Sequence, residues 1–286
     1  MEVAIGLDAG GTKLLAGLVG RDGAVLHSEE RPMRREHYLS DLRALAVAMR
    51  AAAGRGLTPL GVGLGTTGLV DHMAGRLVQS LNLNLTDLPV APCLSEACGL
   101  PAWADNDLHA ATLGELYFGA GRRHPSFVLY NAGTGIAAGM VFGGRLHRGA
   151  SNVSGELCHT SVEQHGPACT CGLPGCLEDS ILRLRRGEAI PPVRLARVAE
   201  PPPTPAHAYV ALGAIHLVNL LNPPALVLAG GMFTRQPGAV EWVTGAIRST
   251  ALPLAVAGLR EIGLAAAGAA AGLVGAAALV WEGLTA

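Results

Sequence analysis

Val3-Ala4-Ile5-Gly6-Leu7-Asp8-Ala9-Gly10-Gly11-Thr12-Lys13, running on into Leu14-Leu15-Ala16-Gly17-Leu18-Val19, is the stretch that decides the fold. An apolar run of strand length ends on a carboxylate, breaks at two glycines and resumes, which reads as strand, glycine turn, strand. Residues 24–30, after the Asp22-Gly23 turn, supply a third strand. Residues 38–53 carry Leu42, Leu45, Ala46 and Met49 at helical spacing. Residues 60–64 and 101–104 then read as buried strands, and strands followed by alternating helix and strand describe an α/β fold.

The same punctuation returns downstream. Residues 127–131 form an apolar run that reaches Ala132-Gly133-Thr134-Gly135, and Ile136–Phe142 continues in extended style before Gly143-Gly144. The echo suggests two similar halves facing one another across a cleft. The expected division is an N-terminal α/β domain over 1–106, joined by a C-terminal helix at about 270–286, and a second α/β domain over 107–269. Within the second, 208–221 reads as an amphipathic helix stopped by Asn222-Pro223-Pro224. Ala225–Ala229 reads as a buried strand ending at Gly230-Gly231, and 183–205, rich in Pro and Arg, as a connecting segment.

Half of the 286 residues are apolar and 15% are charged, so a sizeable core is available. The net charge of -1, with no basic block, lacks the electrostatic footprint of a nucleic-acid binder. The N-terminus carries neither a positive n-region nor an apolar h-region with a cleavage site, so a cytoplasmic location is expected. Residues 263–281 run without a charge, long enough for a membrane span. They are mostly Ala and Gly and lack Lys or Arg anchors, which reads as a buried helix with close backbone approach and no membrane contact.

Several turns carry chemistry. Asp8 to Lys13 combines a carboxylate at a strand end with glycines, a hydroxyl and an ammonium, suited to a phosphate and a hydrated magnesium ion; an ordinary hairpin is the alternative. The 21 basic residues include a single lysine, Lys13. A compact ammonium meets phosphate differently from the planar arginine fork. Gly133-Thr134-Gly135 offers a second phosphate grip, and Gly230-Gly231 a surface for an adenine, with structural turns as the alternative. Asp105-Asn106-Asp107 lies at a strand's carboxyl end, where a carboxylate can accept the proton of an attacking hydroxyl or cap the helix expected over 108–117.

Gly155-Glu156-Leu157-Cys158-His159 followed by Cys169-Thr170-Cys171-Gly172-Leu173-Pro174-Gly175-Cys176-Leu177-Glu178 is the most specific signal. One imidazole and three thiolates, His159, Cys169, Cys171 and Cys176, form a closed four-ligand set for tetrahedral, structural zinc. Glu156 and Glu178 flank it, placed to accept hydrogen bonds from sugar hydroxyls or simply solvated. Cys93, Cys98 and Cys158 read as small, partly buried residues.

Taken in order, Asp-x-Gly-Gly-Thr-Lys, the Asn-Asp pair, Gly-Thr-Gly, Gly-Glu-x-x-His, Cys-x-Cys-Gly-x-x-Gly-Cys-Leu-Glu and the late Gly-Gly resemble the ROK family of bacterial sugar kinases and sugar-responsive repressors. The resemblance implies two actin-like (ribonuclease H-like) domains around a central cleft. It implies that Asp107 is the general base and that Asn106, Asp107, Glu156, His159 and Glu178 contact the sugar. His159 would also join Cys169, Cys171 and Cys176 on zinc. Asp8, Gly10, Gly11, Thr12, Lys13, Gly133, Thr134 and Gly135 would surround magnesium and the phosphates of ATP, with Gly230 and Gly231 lining the nucleotide pocket. It also implies a homodimer. Three departures stand out: Thr67 where the family's Gly-x-Pro-Gly turn has proline, Asp105 and His109 where Glu and Asn are common, and a shortened stretch between Glu178 and Ala206 that would weaken nucleotide binding.

The leading expectation is an ATP-dependent hexose kinase, glucose the first substrate, with N-acetylmannosamine or fructose as alternatives and polyphosphate as an alternative donor. A non-catalytic sugar sensor and an actin-like ATPase compete with it. The seven residues ahead of Asp8 leave no room for the DNA-binding arm of family repressors, and the cysteine clip argues against an actin-like ATPase.

Overall fold

The computed structural model of the chain describes residues 1–195 and 197–285. Ala196, inside the expected connecting segment, and Ala286, the last residue of the expected C-terminal helix, lie outside the described residues. The chain divides into two compact units: Met1–Arg122 with Arg148–Val153 and the chain from Ala266, and Arg123–His147 with Ser154–Ala265.

The first unit runs β1 (Glu2–Ala9), β2 (Lys13–Gly20), β3 (Val25–Pro32), α1 (Tyr38–Ala52), β4 (Thr58–Thr66), β5 (Leu69–Asp71), β6 (Arg76–Ser80), β7 (Leu85–Leu88), α2 (Val90–Cys98), β8 (Ala102–Asn106) and α3 (Asp107–Phe118). The second runs β9 (Phe127–Ala132), β10 (Ile136–Phe142), β11 (Arg145–Leu146), α4 (Leu177–Arg185), α5 (Pro205–Leu221), β12 (Ala225–Ala229), α6 (Gly231–Thr234), α7 (Ala239–Thr250), α8 (Pro253–Gly258) and β13 (Glu261–Leu264). Helix α9 (Ala271–Thr285) returns to the first unit.

The main sheet of the first unit has the order β3-β2-β1-β4-β8. Short turns make β1, β2 and β3 antiparallel, whereas β4 and β8 arrive through α1 and α2 and pair parallel to β1 and to each other. Residues Val3 to Leu7 of β1 are buried without alternation, as in a sheet covered on both faces. Leu42, Leu45 and Met49 of α1 and Leu94 of α2 join one core, while Leu273, Val274 and Val280 of α9 pack with Ala4 and Val19 on another. The second unit repeats the pattern: its sheet has the order β11-β10-β9-β12-β13, antiparallel over the first three strands and parallel over β9, β12 and β13. The glycine-turn echo in the sequence is thus a repeat of strand order.

Two sequence expectations change. Helix α5 is not amphipathic: Ala206 to Ala211, Gly213, Ala214, Ile215, Leu217 and Val218 are all buried, because α4 and α7 pack beside it and β9 beneath. The uncharged run 263–281 is not one helix, since its first residues finish β13 and α9 begins at Ala271. Among the described residues no helix is long and apolar enough to cross a membrane.

Close backbone approach does govern α9. A methyl group on Gly275 would strike the carbonyl of Ala110 in α3, and one on Gly114 would stand 3.1 Å from the Gly275 Cα. These contacts explain why α3 falls in the first unit. Gly275→Ala should therefore lower stability by about 1–3 kcal/mol, the usual cost of overpacking, despite alanine's better helix propensity; urea unfolding monitored by circular dichroism checks this.

Candidate functional site

Parallel register sets the site of the first unit. Asp8, Gly65 and Asp105 stand in one row across β1, β4 and β8, with Ala9, Thr66 and Asn106 in the next. These are the carboxyl ends of the strands, where open α/β sheets bind ligands. Asn106 is the N-cap of α3: its Oδ1 accepts from the N–H of Leu108 at 2.9 Å, while its Nδ2 donates to the Gly68 carbonyl at 3.0 Å. Asp107 is therefore the first helical residue, and its Oδ1 also accepts from Leu108 N–H at 2.9 Å. A Cβ at Gly65 would lie 3.1 Å from the Ala110 Cβ and 3.6 Å from the Asp107 Cα, so the glycine lets the first turn of α3 pack close to β4.

Asp8 sits against the first turn of α9, where Gly272 has no side chain to displace it. Burial, with the negative charge of Asp107 next in size, pushes its carboxyl from 3.8 up to about 6, and Lys13 offsets part of the shift. Two carboxylates thus share one small region at a cost. Lys13 itself is exposed, and its Nζ pairs with Glu30 at 2.7 Å. Gly10 donates its N–H to the Lys13 carbonyl at 3.1 Å to close the turn. A Cβ at Gly11 would meet nothing within 4 Å, so the fold itself does not require glycine there.

Sequence reasoning passed over Tyr38 and Thr66, whose hydroxyls meet at 2.6 Å, both buried. Burial, helped by Asp107, raises the Tyr38 hydroxyl well above the ordinary phenol range. Nothing in the sequence pairs these two residues, 28 positions apart. Asp105 does not emerge at the strand end with Asn106 and Asp107. It is fully buried, contacting His109 at 3.1 Å and Arg148 at 2.7 Å.

In the second unit the turn between β9 and β10 occupies the place that the Gly10-Gly11 turn has between β1 and β2. Gly133 N–H donates to the Gly135 carbonyl at 3.0 Å, and Arg185 Nη1 donates to the Gly133 carbonyl at 2.8 Å. Thr134 is exposed. Gly230 and Gly231 follow β12, the parallel neighbour of β9, and a Cβ on Gly133 would lie 3.7 Å from the Gly230 Cα. Glu178 also belongs to this loop: its Oε2 accepts from Ile136 N–H at 2.6 Å, immediately after Gly135.

The donor atoms of His159, Cys169, Cys171 and Cys176 all lie within 4.8 Å of one another. Cys169 Sγ is 3.6 Å from His159 Nδ1, and Cys171 Sγ is 3.4 Å from Cys176 Sγ. Tetrahedral zinc bonds to sulfur and nitrogen separate neighbouring donors by about 3.5–3.8 Å, so the four residues fit that ion. The Cys169 thiol is drawn down to about 6, chiefly by the backbone N–H of Cys171, which favours the ligating thiolate. Gly155 opens this region at φ 97°, a conformation that side chains disfavour, with its carbonyl taking the Ala138 N–H at 2.9 Å. Glu156 is exposed and accepts from the Cys158 thiol at 3.2 Å.

These elements define an α/β protein with the actin-like (ribonuclease H-like) two-domain fold of its structural neighbours. The ROK family profile matches residues 4–184, and the chain belongs to the ROK family. A ROK hexokinase from Thermus thermophilus is 31% identical, with a TM-score of 0.79 and 99% of both chains covered. A ROK family glucokinase from Streptomyces griseus, solved with glucose and AMPPNP, is 26% identical, with a TM-score of 0.73 over 98% of this chain and 99% of that one. A glucokinase from Thermotoga maritima is 37% identical over 176 residues, 61% of this chain. The match spans only 55% of that curated relative's length.

The Asp8 shift has a measurable sign. Between 3.8 and about 6 the folded chain holds a proton that the unfolded chain has lost, so stability should fall as pH rises through that window. Asp8→Asn should abolish this fall and raise stability at pH 7 by up to about 3 kcal/mol, seen by urea unfolding at pH 4 and pH 7.

Proposed function

We propose that this protein is an ATP-dependent sugar kinase that phosphorylates a hexose hydroxyl, with glucose the first substrate and N-acetylmannosamine or fructose next. The observation that carries the reading is the pair Asp8 and Asp107, held near one another although burial and like charge oppose it. Such an arrangement lowers stability without helping the core, and it is what a cation-dependent proton-transfer site requires. ROK membership and likeness to a hexokinase and to a glucokinase solved with glucose and AMPPNP support the same reading.

Asp107 takes the proton of the attacking hydroxyl, with its Oδ1 fixed by Leu108 N–H. Asn106, Glu156, His159 and Glu178 are the further proposed sugar contacts. Asp8 would hold the hydrated magnesium ion that accompanies ATP, and that ion would supply charge neutralisation at the transferred phosphate. The turns at Gly10, Gly11, Thr12 and Lys13 and at Gly133, Thr134 and Gly135 surround the phosphates, with the N–H groups of Gly10 and Gly133 closing the turns themselves. Room for a Cβ at Gly11 and Gly133 fits such a cradle. Gly230 and Gly231 border the nucleotide. His159, Cys169, Cys171 and Cys176 hold structural zinc, and a closed ligand set leaves that ion no catalytic position.

Asp107→Asn should lower kcat by about 10²–10⁴-fold while sugar binding by calorimetry persists; near-normal turnover refutes the base assignment. A coupled assay over hexoses and amino sugars tests the substrate, and sugar binding without ATP consumption would mark a sensor instead. Elemental analysis should find about one zinc per chain, lost in Cys176→Ser; a fully active metal-free preparation contradicts the clip.

A further inference from the structure

Asp105 is the most completely buried carboxylate beside the proposed base, and every contact it makes runs toward that base or away to an anchor. Its Oδ1 accepts from the backbone N–H of Asn106 at 2.8 Å and lies 3.1 Å from His109 Nδ1. Its Oδ2 accepts from Arg148 Nε at 2.7 Å and lies 3.7 Å from His72 Nδ1. Arg148 divides its fork, sending Nη2 and Nη1 to the two oxygens of Glu282 in α9 at 2.5 and 3.2 Å. It belongs to Arg148–Val153, the short segment with which the chain re-enters the first unit.

Burial alone would hold Asp105 protonated, but His109 and Arg148 keep its carboxyl below the ordinary value. A charged Asp105 grips the Asn106 amide strongly. Asn106 in turn caps α3 and ties to Gly68, so the peptide that precedes Asp107 is fixed from both sides. Removing the guanidinium would leave a buried carboxylate with only His109 and the more distant His72 beside it, and the β8–α3 corner would relax.

We propose that Arg148, together with His109, is a positioning residue for Asp107, acting through the buried Asp105 carboxylate and the Asn106 amide. The proposal rests on the reading of Asp107 as the base. A displacement of about 1 Å at a reacting group is enough to cost one to two orders of magnitude in rate.

The test is a kinetic cycle in the full-length protein with ATP and the best sugar from the panel. Arg148→Met should lower kcat at least about tenfold while the sugar KM stays within about threefold. Arg148→Lys, which keeps the charge and loses the fork, should recover part of that loss. In an Asp107→Asn background the Arg148→Met change should cost no further activity, because the group it positions is gone. An unimpaired Arg148→Met beside an inactive Asp107→Asn overturns this proposal alone. The same fold loss in both backgrounds overturns it too, since the effect would then be general. Near-normal Asp107→Asn removes the base reading and this proposal with it. Should Arg148→Met not fold, Arg148→Lys is read for the same kcat and KM split and the same cycle.

Discussion

The parallel register of β1, β4 and β8 is the constraint on which the first unit's chemistry depends. Because β4 and β8 each arrive through a helix, the carboxyl ends of three strands lie side by side, and Asp8, Gly65 and Asp105 fall in one row. Each member of that row meets a different fate. Asp8 is half-buried and strained by the charge of Asp107, Gly65 lets the first turn of α3 pack close to β4, and Asp105 sinks into the core with His109 and Arg148 as countercharges. A carboxylate row of this kind would destabilise a purely structural sheet.

The second unit solves a different problem. Between β11 and α4 the chain runs some thirty residues of turns, one short 3₁₀ segment, Leu157–His159, and two isolated β-bridges, Ser161 with Cys176 and Ala168 with Pro174. Long structureless loops are unusual in compact domains unless something else orders them. Cys176 is fully buried at the entry to α4, the donor atoms of His159, Cys169 and Cys171 lie close to its thiol, and backbone bonds from Val162 to Gly175 and from Cys169 to Leu173 close the loop. Glu178 follows two residues later and ties the same segment to the Gly133–Gly135 turn through Ile136 N–H. The cysteine loop and the β9–β10 turn are therefore mechanically one piece.

Both units place a glycine turn between the first two strands of a sheet with the same strand order. The repeat matters because the turn follows the strand on which the parallel neighbours assemble, β1 in one unit and β9 in the other. Each turn therefore lies next to the carboxyl ends of the parallel strands.

The sequence by itself determined much of this. Apolar runs punctuated by glycine located β1, β2, β9, β10 and β12, helical spacing located α1, and the order of motifs placed the chain among ROK proteins. Those signals are local: periodicity and turn chemistry act over a few residues, and the clustered side chains of His159, Cys169, Cys171 and Cys176 lie within a span of eighteen positions. Short strands β5 to β7 and helices α2, α7 and α8 went unread, although Ala239, Val243, Ala246 and Ile247 of α7 and Val90, Ala91, Leu94 and Cys98 of α2 bury one face at helical spacing. The burial of α5 on nearly all sides was decided by the helices that flank it. Tertiary structure alone brought Tyr38 to Thr66, Arg148 to Asp105 and Glu282, and α9 onto α3 through Gly114 and Gly275. Burial and charge pairing between residues far apart in the chain leave no mark on local pattern, so a buried Asp105 and an emergent Asp107, two positions apart, look alike until the sheet and its helices are assembled.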